Sequence, residues 1–145
     1  MRAVFLVVAL VFSSIAYGEP VDPKSVRVID GDTIRIHNSR PDVRLVGFNT
    51  PETRRANCAA EEQLGAQATR RLREIVRGGN LTFESVACSC RPGTEGTRAC
   101  NFGRLCGTLK ANGRDVGQIL ILEGLAVSFQ CEPTRCPRTP SPWCS

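Results

Sequence analysis

The chain has 145 residues and a hydrophobic content of 41%, enough for one domain with a real core and too apolar for disorder throughout. Its formal charge of +5 suits attraction to polyanions, although an ordinary soluble surface carries as much. No apolar run beyond the first residues could span a bilayer.

Arg2 gives a positive start, residues 3–12 are apolar, and Ala16, Tyr17 and Gly18 form a small-x-small signal. Residues 1–18 therefore read as a secretory signal peptide cut before Glu19. The alternative is an uncleaved anchor, for which the apolar run is short. Without the leader, 18 basic side chains stand against 14 acidic ones, a net charge of +4. A secreted or periplasmic protein is expected, with no membrane association after cleavage.

Residues 19–24 are a polar lead-in with two prolines. Residues 26–29 are β-branched and read as a strand, Asp30, Gly31 and Asp32 as a turn, and Thr33 to Ile36 as the return strand of a hairpin. His37 opens a second polar turn and is expected as an exposed strand-end residue, not a base. Residues 43–48 form a third strand. A helix is expected over residues 61–76, with Leu64, Ala68, Leu72 and Ile75 on one face and Arg70, Arg71 and Arg73 largely off it. Residues 81–86 give a fourth strand, residues 104–110 a fifth, and residues 116–123 a short helix stopped at Gly124. Asn80 opens a short sequon of the kind that often arises by chance. Five short strands with a helix between the third and fourth suggest a β-barrel with helices, an α+β fold of the five-stranded OB type.

Eight cysteines in a short exported chain imply disulfides. They are Cys58, Cys88, Cys90, Cys100, Cys106, Cys131, Cys136 and Cys144. About 105 connectivities are open to eight cysteines, so the pairing stays undetermined. Zinc is the rival reading, but the Cys88-x-Cys90 spacing is tighter than a metal knuckle and the single histidine is distant. Residues 131–145 read as a Cys- and Pro-rich tail that follows a domain spanning residues 19–130.

The chemistry concentrates between Arg44 and Glu52. Pro51 restricts its own φ and pushes Thr50 towards an extended conformation, so Asn49, Thr50 and Glu52 are offered in a defined geometry. Asp32 adds a carboxylate at another strand end. Carboxylates, an amide oxygen and an arginine suit a hard cation beside a phosphate.

Residues 28–33, Arg44 to Val46, Thr50 to Glu52, Phe102 to Arg104 and residues 113–126, taken in order, resemble the staphylococcal nuclease (thermonuclease) family over about residues 25–129. The resemblance implies an OB barrel with packed helices. It also implies metal-dependent hydrolysis of DNA and RNA phosphodiesters, usually with calcium, leaving 3′-phosphate and 5′-hydroxyl ends. By position, Asp32 resembles a calcium-ligating aspartate, Asn49 stands where the family has its second, and Thr50 would supply a backbone carbonyl. Glu52 matches the general-base candidate, Arg44 and Arg104 the pair that grips the phosphate, and Phe102 a tyrosine beside the bound nucleotide.

The chain departs from the family pattern at three places. Asn49 brings no charge, so calcium binding should be weakened. The segment between the fourth and fifth strands is longer and carries cysteines. The tail from Cys131 replaces the family's C-terminal helix. The expected protein is thus a monomeric nuclease acting on DNA or RNA. A non-catalytic nucleic-acid-binding OB module is the alternative, and a disulfide-rich small-ligand binder the third reading.

Overall fold

The computed structural model describes residues 18–144, so the expected leader lies outside them, Gly18 apart. Nine strands and two α-helices occupy the described residues in this order: β1 Glu19–Val21, β2 Val26–Val28, β3 Thr33–Ile36, β4 Val43–Leu45, β5 Gly47–Asn49, α1 Ala59–Gly78, β6 Leu81–Val86, β7 Leu105–Ala111, β8 Arg114–Asp115, α2 Val116–Leu122 and β9 Val127–Phe129. The main sheet runs β1-β6-β7-β4-β3-β2, and β5 pairs with β9 in a second, two-stranded sheet. The curled sheet with two helices against it is the expected OB-type α+β barrel.

Ile34 and Leu45 from the sheet, Leu72 from α1 and Val116 and Leu120 from α2 are fully buried in one core. The helices meet it through periodic apolar faces. Arg71 ties α1 to the end of α2 at the surface by gripping both carboxylate oxygens of Glu123 at 2.7 and 2.8 Å.

Several boundaries move. The polar lead-in contains β1, which pairs with β6 and buries Val21. The single strand expected over residues 43–48 breaks at Val46, because Gly47 adopts a φ of +93°, and β5 leaves the main sheet to join β9. Leu64 is only half-buried, and Glu61 is buried on the inner side of α1 in its place. Arg104 lies just ahead of β7, not inside it.

Strand register brings three charged residues together. Antiparallel β3 and β4 set Thr33 opposite Arg44, and parallel β4 and β7 set Arg44 opposite Cys106. Asp32, Arg44 and Arg104 thereby reach the same end of three adjacent strands.

All eight cysteines are paired: Cys58–Cys144, Cys88–Cys106, Cys90–Cys100 and Cys131–Cys136. The second and third bridges staple the long β6–β7 connection. The first ties the tail, 86 residues away in sequence, to the N-cap of α1.

Candidate active site

A cleft of about 1540 Å³ opens over that strand end, lined by Asp30, Asp32, Arg44, Asn49, Glu52, Phe102 and Arg104. All but one of the residues singled out in the sequence line it. The exception is Thr50, which is buried and turned inward: its N–H and its hydroxyl both donate to Asp32 Oδ2 at 3.0 Å.

Arg44 is the hub. Its Nη2 contacts Asp32 Oδ2 at 3.0 Å and donates to Asn49 Oδ1 at 2.9 Å and to the Phe48 carbonyl at 3.1 Å. Its Nη1 donates to the Leu45 carbonyl. The guanidinium is therefore held by its own strand and the next one before any substrate arrives.

Arg104 approaches from the other side. Its Nη1 donates to Thr33 Oγ1 at 3.3 Å, while Nε and Nη2 donate to the carbonyl and side-chain oxygens of Asn101 at 3.1 and 2.8 Å. Burial, and then the neighbouring Arg44, push its pKa below the usual arginine value. Two guanidinium groups kept together against their repulsion suit a site that receives an anion.

Asn101, Phe102 and Gly103 have φ values of +50°, +59° and +79°. Asparagine and glycine tolerate the left-handed region, whereas a bulky ring there is uncommon. The turn points the Phe102 ring outward, 72% exposed, with the Arg104 guanidinium 5.7 Å from its centroid.

Glu52 is exposed in the cleft, and its backbone N–H reaches Glu61 Oε1 at 3.5 Å. Glu61 is fully buried and also accepts from Asn57 N and Nδ2 at 2.7 and 3.0 Å and from Ser141 Oγ at 3.1 Å. The Asn57 N–H, ahead of the other donors, holds its pKa below the usual carboxylate value. Gly65 lets α1 press on this loop, since a Cβ there would meet the Pro51 carbonyl oxygen at 2.6 Å.

Asp30 was missed in the sequence. Its Oδ1 accepts from Asp32 N at 3.1 Å, and burial, followed by the charge of Asp32, raises its pKa. The two-residue spacing in the turn was the available signal. Glu61 and Asn101 gave none, since Glu61 also needs Ser141, brought in by folding, and Asn101 meets Arg104 across a left-handed turn that the residue types do not announce.

The potential metal donors are all oxygens: Asp32, with Asp30 beside it, the Asn49 amide and the Thr50 carbonyl. That set fits a hard cation, which would also relieve the crowding of the two carboxylates. Among the described residues no three His, Cys, Asp or Glu side chains cluster as a metal site. A cation would thus lean on neutral oxygens and on a bound phosphate.

Five further arginines line the cleft, namely Arg40, Arg54, Arg55, Arg91 and Arg98. All five are exposed, and none forms an ion pair among the described residues. The cleft contains no lysine. His37 is exposed and lies outside it.

A family model described as staphylococcal nuclease homologue matches residues 42–140. Two proteins of Bacillus subtilis (strain 168) are similar. Endonuclease YncB is 36% identical over 110 residues, which cover 74% of this chain and 48% of that protein. The SPbeta prophage-derived endonuclease YokF is 35% identical over 118 residues, 79% of this chain and 37% of that protein. The chain thus spans under half the length of each of these two relatives.

Proposed function

The chain belongs to the staphylococcal nuclease homologue family, and from that premise we propose that it is a metal-dependent nuclease that hydrolyses DNA or RNA phosphodiesters to 3′-phosphate and 5′-hydroxyl ends. The endonuclease names of both relatives support the reaction. The observation that carries the reading is the convergence of Arg44 and Arg104 beside Asp32 and the exposed Glu52 in one cleft.

Calcium, held by Asp32, Asn49 Oδ1 and the Thr50 carbonyl, would supply charge neutralisation at the phosphate. Arg44 and Arg104 supply two planar forks that match the equatorial phosphoryl oxygens and bind them more tightly as charge builds. Glu52 takes a proton from the attacking water, and its fixed loop limits how far it can wander from that water. Phe102 offers an exposed ring on which a base can stack. The further arginines along the cleft meet flanking phosphates.

Four disulfides fit an oxidising compartment. We assign residues 1–18 to an export signal, 19–130 to the nuclease unit and 131–145 to a tail, in a monomeric, secreted or periplasmic protein.

The test is the oxidised protein on plasmid and on single strands, with calcium or with chelator, followed by analysis of the ends. Calcium-dependent cleavage with 3′-phosphate ends is expected. Binding without cleavage, unaffected by chelator, would favour a module that grips strands and does not cut them.

A further inference from the structure

We propose that the C-terminal segment is a strap that orients Asn49 for cation binding, making Pro140 a positioning residue of the site. The proposal rests on the reading of Asn49 as a ligand. Asn49 is buried, and both ends of its amide are engaged. Oδ1 accepts from Arg44 Nη2 at 2.9 Å, and Nδ2 donates to the Pro140 carbonyl at 3.0 Å. The same Arg44 nitrogen touches Asp32 Oδ2 at 3.0 Å, so the Asn49 and Asp32 oxygens are gathered on one guanidinium. Turning the amide over would set donor against donor at Arg44 and oxygen against oxygen at Pro140. The carbonyl therefore fixes which end of Asn49 faces the cleft.

The strap is tied at two further points. Ser141 Oγ donates to the buried Glu61, which also receives the Glu52 N–H, and Cys144 is bonded to Cys58 at the start of α1. One segment thus braces the candidate ligand and the loop of the candidate base together.

This arrangement gives a physical reason for an amide at position 49. A carboxylate there would place a second acceptor against the Pro140 carbonyl and could not donate to it. Asparagine gives up ligand charge and gains an anchor.

The experiment is a cycle of three variants of the oxidised chain: Asn49→Asp, the pair Cys58→Ser with Cys144→Ser, and all three changes together. Serine at position 58 keeps an N-capping oxygen. Calcium affinity is measured by calorimetry without nucleic acid, and exchange of the Asn49 side-chain amide protons by NMR. Releasing the strap should weaken calcium binding ~10–100-fold, the usual effect of losing a residue that orients a ligand, and should speed Asn49 amide exchange. Asn49→Asp should tighten calcium binding more in the released background than in the intact one.

Equal gains in both backgrounds, with unchanged amide exchange, would overturn the strap while leaving the calcium reading standing. No calcium binding in the wild type would overturn the calcium reading and the strap's role with it. If the serine pair does not fold, backbone exchange at Thr139, Ser141 and Trp143 in the disulfide-intact Asn49→Asp protein decides. Faster exchange is expected there, and exchange equal to wild type would overturn the proposal.

Discussion

Arg44 draws on two stretches of chain at once, through Asp32 in one turn and through the Phe48 carbonyl and Asn49 of β5. Its planar fork makes this possible, and a lysine ammonium at the same position would carry the charge without the geometry. Arg44→Lys should therefore lower kcat, by about 10²–10³ if it removes one transition-state donor, with a smaller change in KM; steady-state cleavage kinetics check this. A loss confined to KM would make the arginine a docking group. Glu52→Gln keeps shape but removes the basic oxygen, and general-base assistance is typically worth ~10²–10⁴ in rate. Cleavage should fall by that factor, while filter binding of DNA in calcium stays near wild type. Asp32, Arg44, Asn49, Glu52 and Arg104 were legible because each sits in or beside a short local pattern. Asp30 lay in plain view but read as turn chemistry, because its burial beside Asp32 arises only once the hairpin is folded.

At the scale of elements, α1 shows what periodicity can and cannot give. Its apolar face was readable, yet the inner side of its first turn is occupied by a carboxylate. Glu61 is buried because donors from residues 52, 57 and 141 converge on it, and no local pattern announces the last of them, 80 residues away. The depressed pKa has a definite sign. Glu61 stabilises the fold above its ordinary value of 4.5, and the contribution is lost as pH falls below that through the depressed folded value. Glu61→Gln should cost roughly 1.5–3 kcal/mol at neutral pH, the scale of hydrogen bonds to a charged group. The gap from wild type should narrow in acid, as urea unfolding at several pH values would show. The split of the third expected strand into β4 and β5 was equally hidden, since only the partner strand β9 gives Gly47 a reason to turn.

For the whole molecule, strand order and register decide where chemistry can occur, and four disulfides hold the loops around it. Sequence revealed the barrel because five strands and a helix sufficed to suggest it. It did not reveal the strap, because the pairing of eight cysteines is a property of the finished fold. The stapled β6–β7 connection carries Arg91 and Arg98 on the cleft wall. If both meet phosphates, Arg91→Gln with Arg98→Gln should reduce the slope of log affinity against log salt by about 2 on duplex DNA. Titrations at several salt concentrations read this directly, and an unchanged slope would mean that neither side chain touches the backbone.

The absence of lysine from the cleft reaches beyond catalysis. The chain has only two lysines, Lys24 and Lys110; both are exposed and neither lines the cleft. Reagents that acylate or reductively alkylate amines should leave the working surface untouched, and coupling through those amines should tether an active protein to a solid support. Dicarbonyl reagents that condense with guanidinium groups should silence it, and nucleic acid added beforehand should protect it.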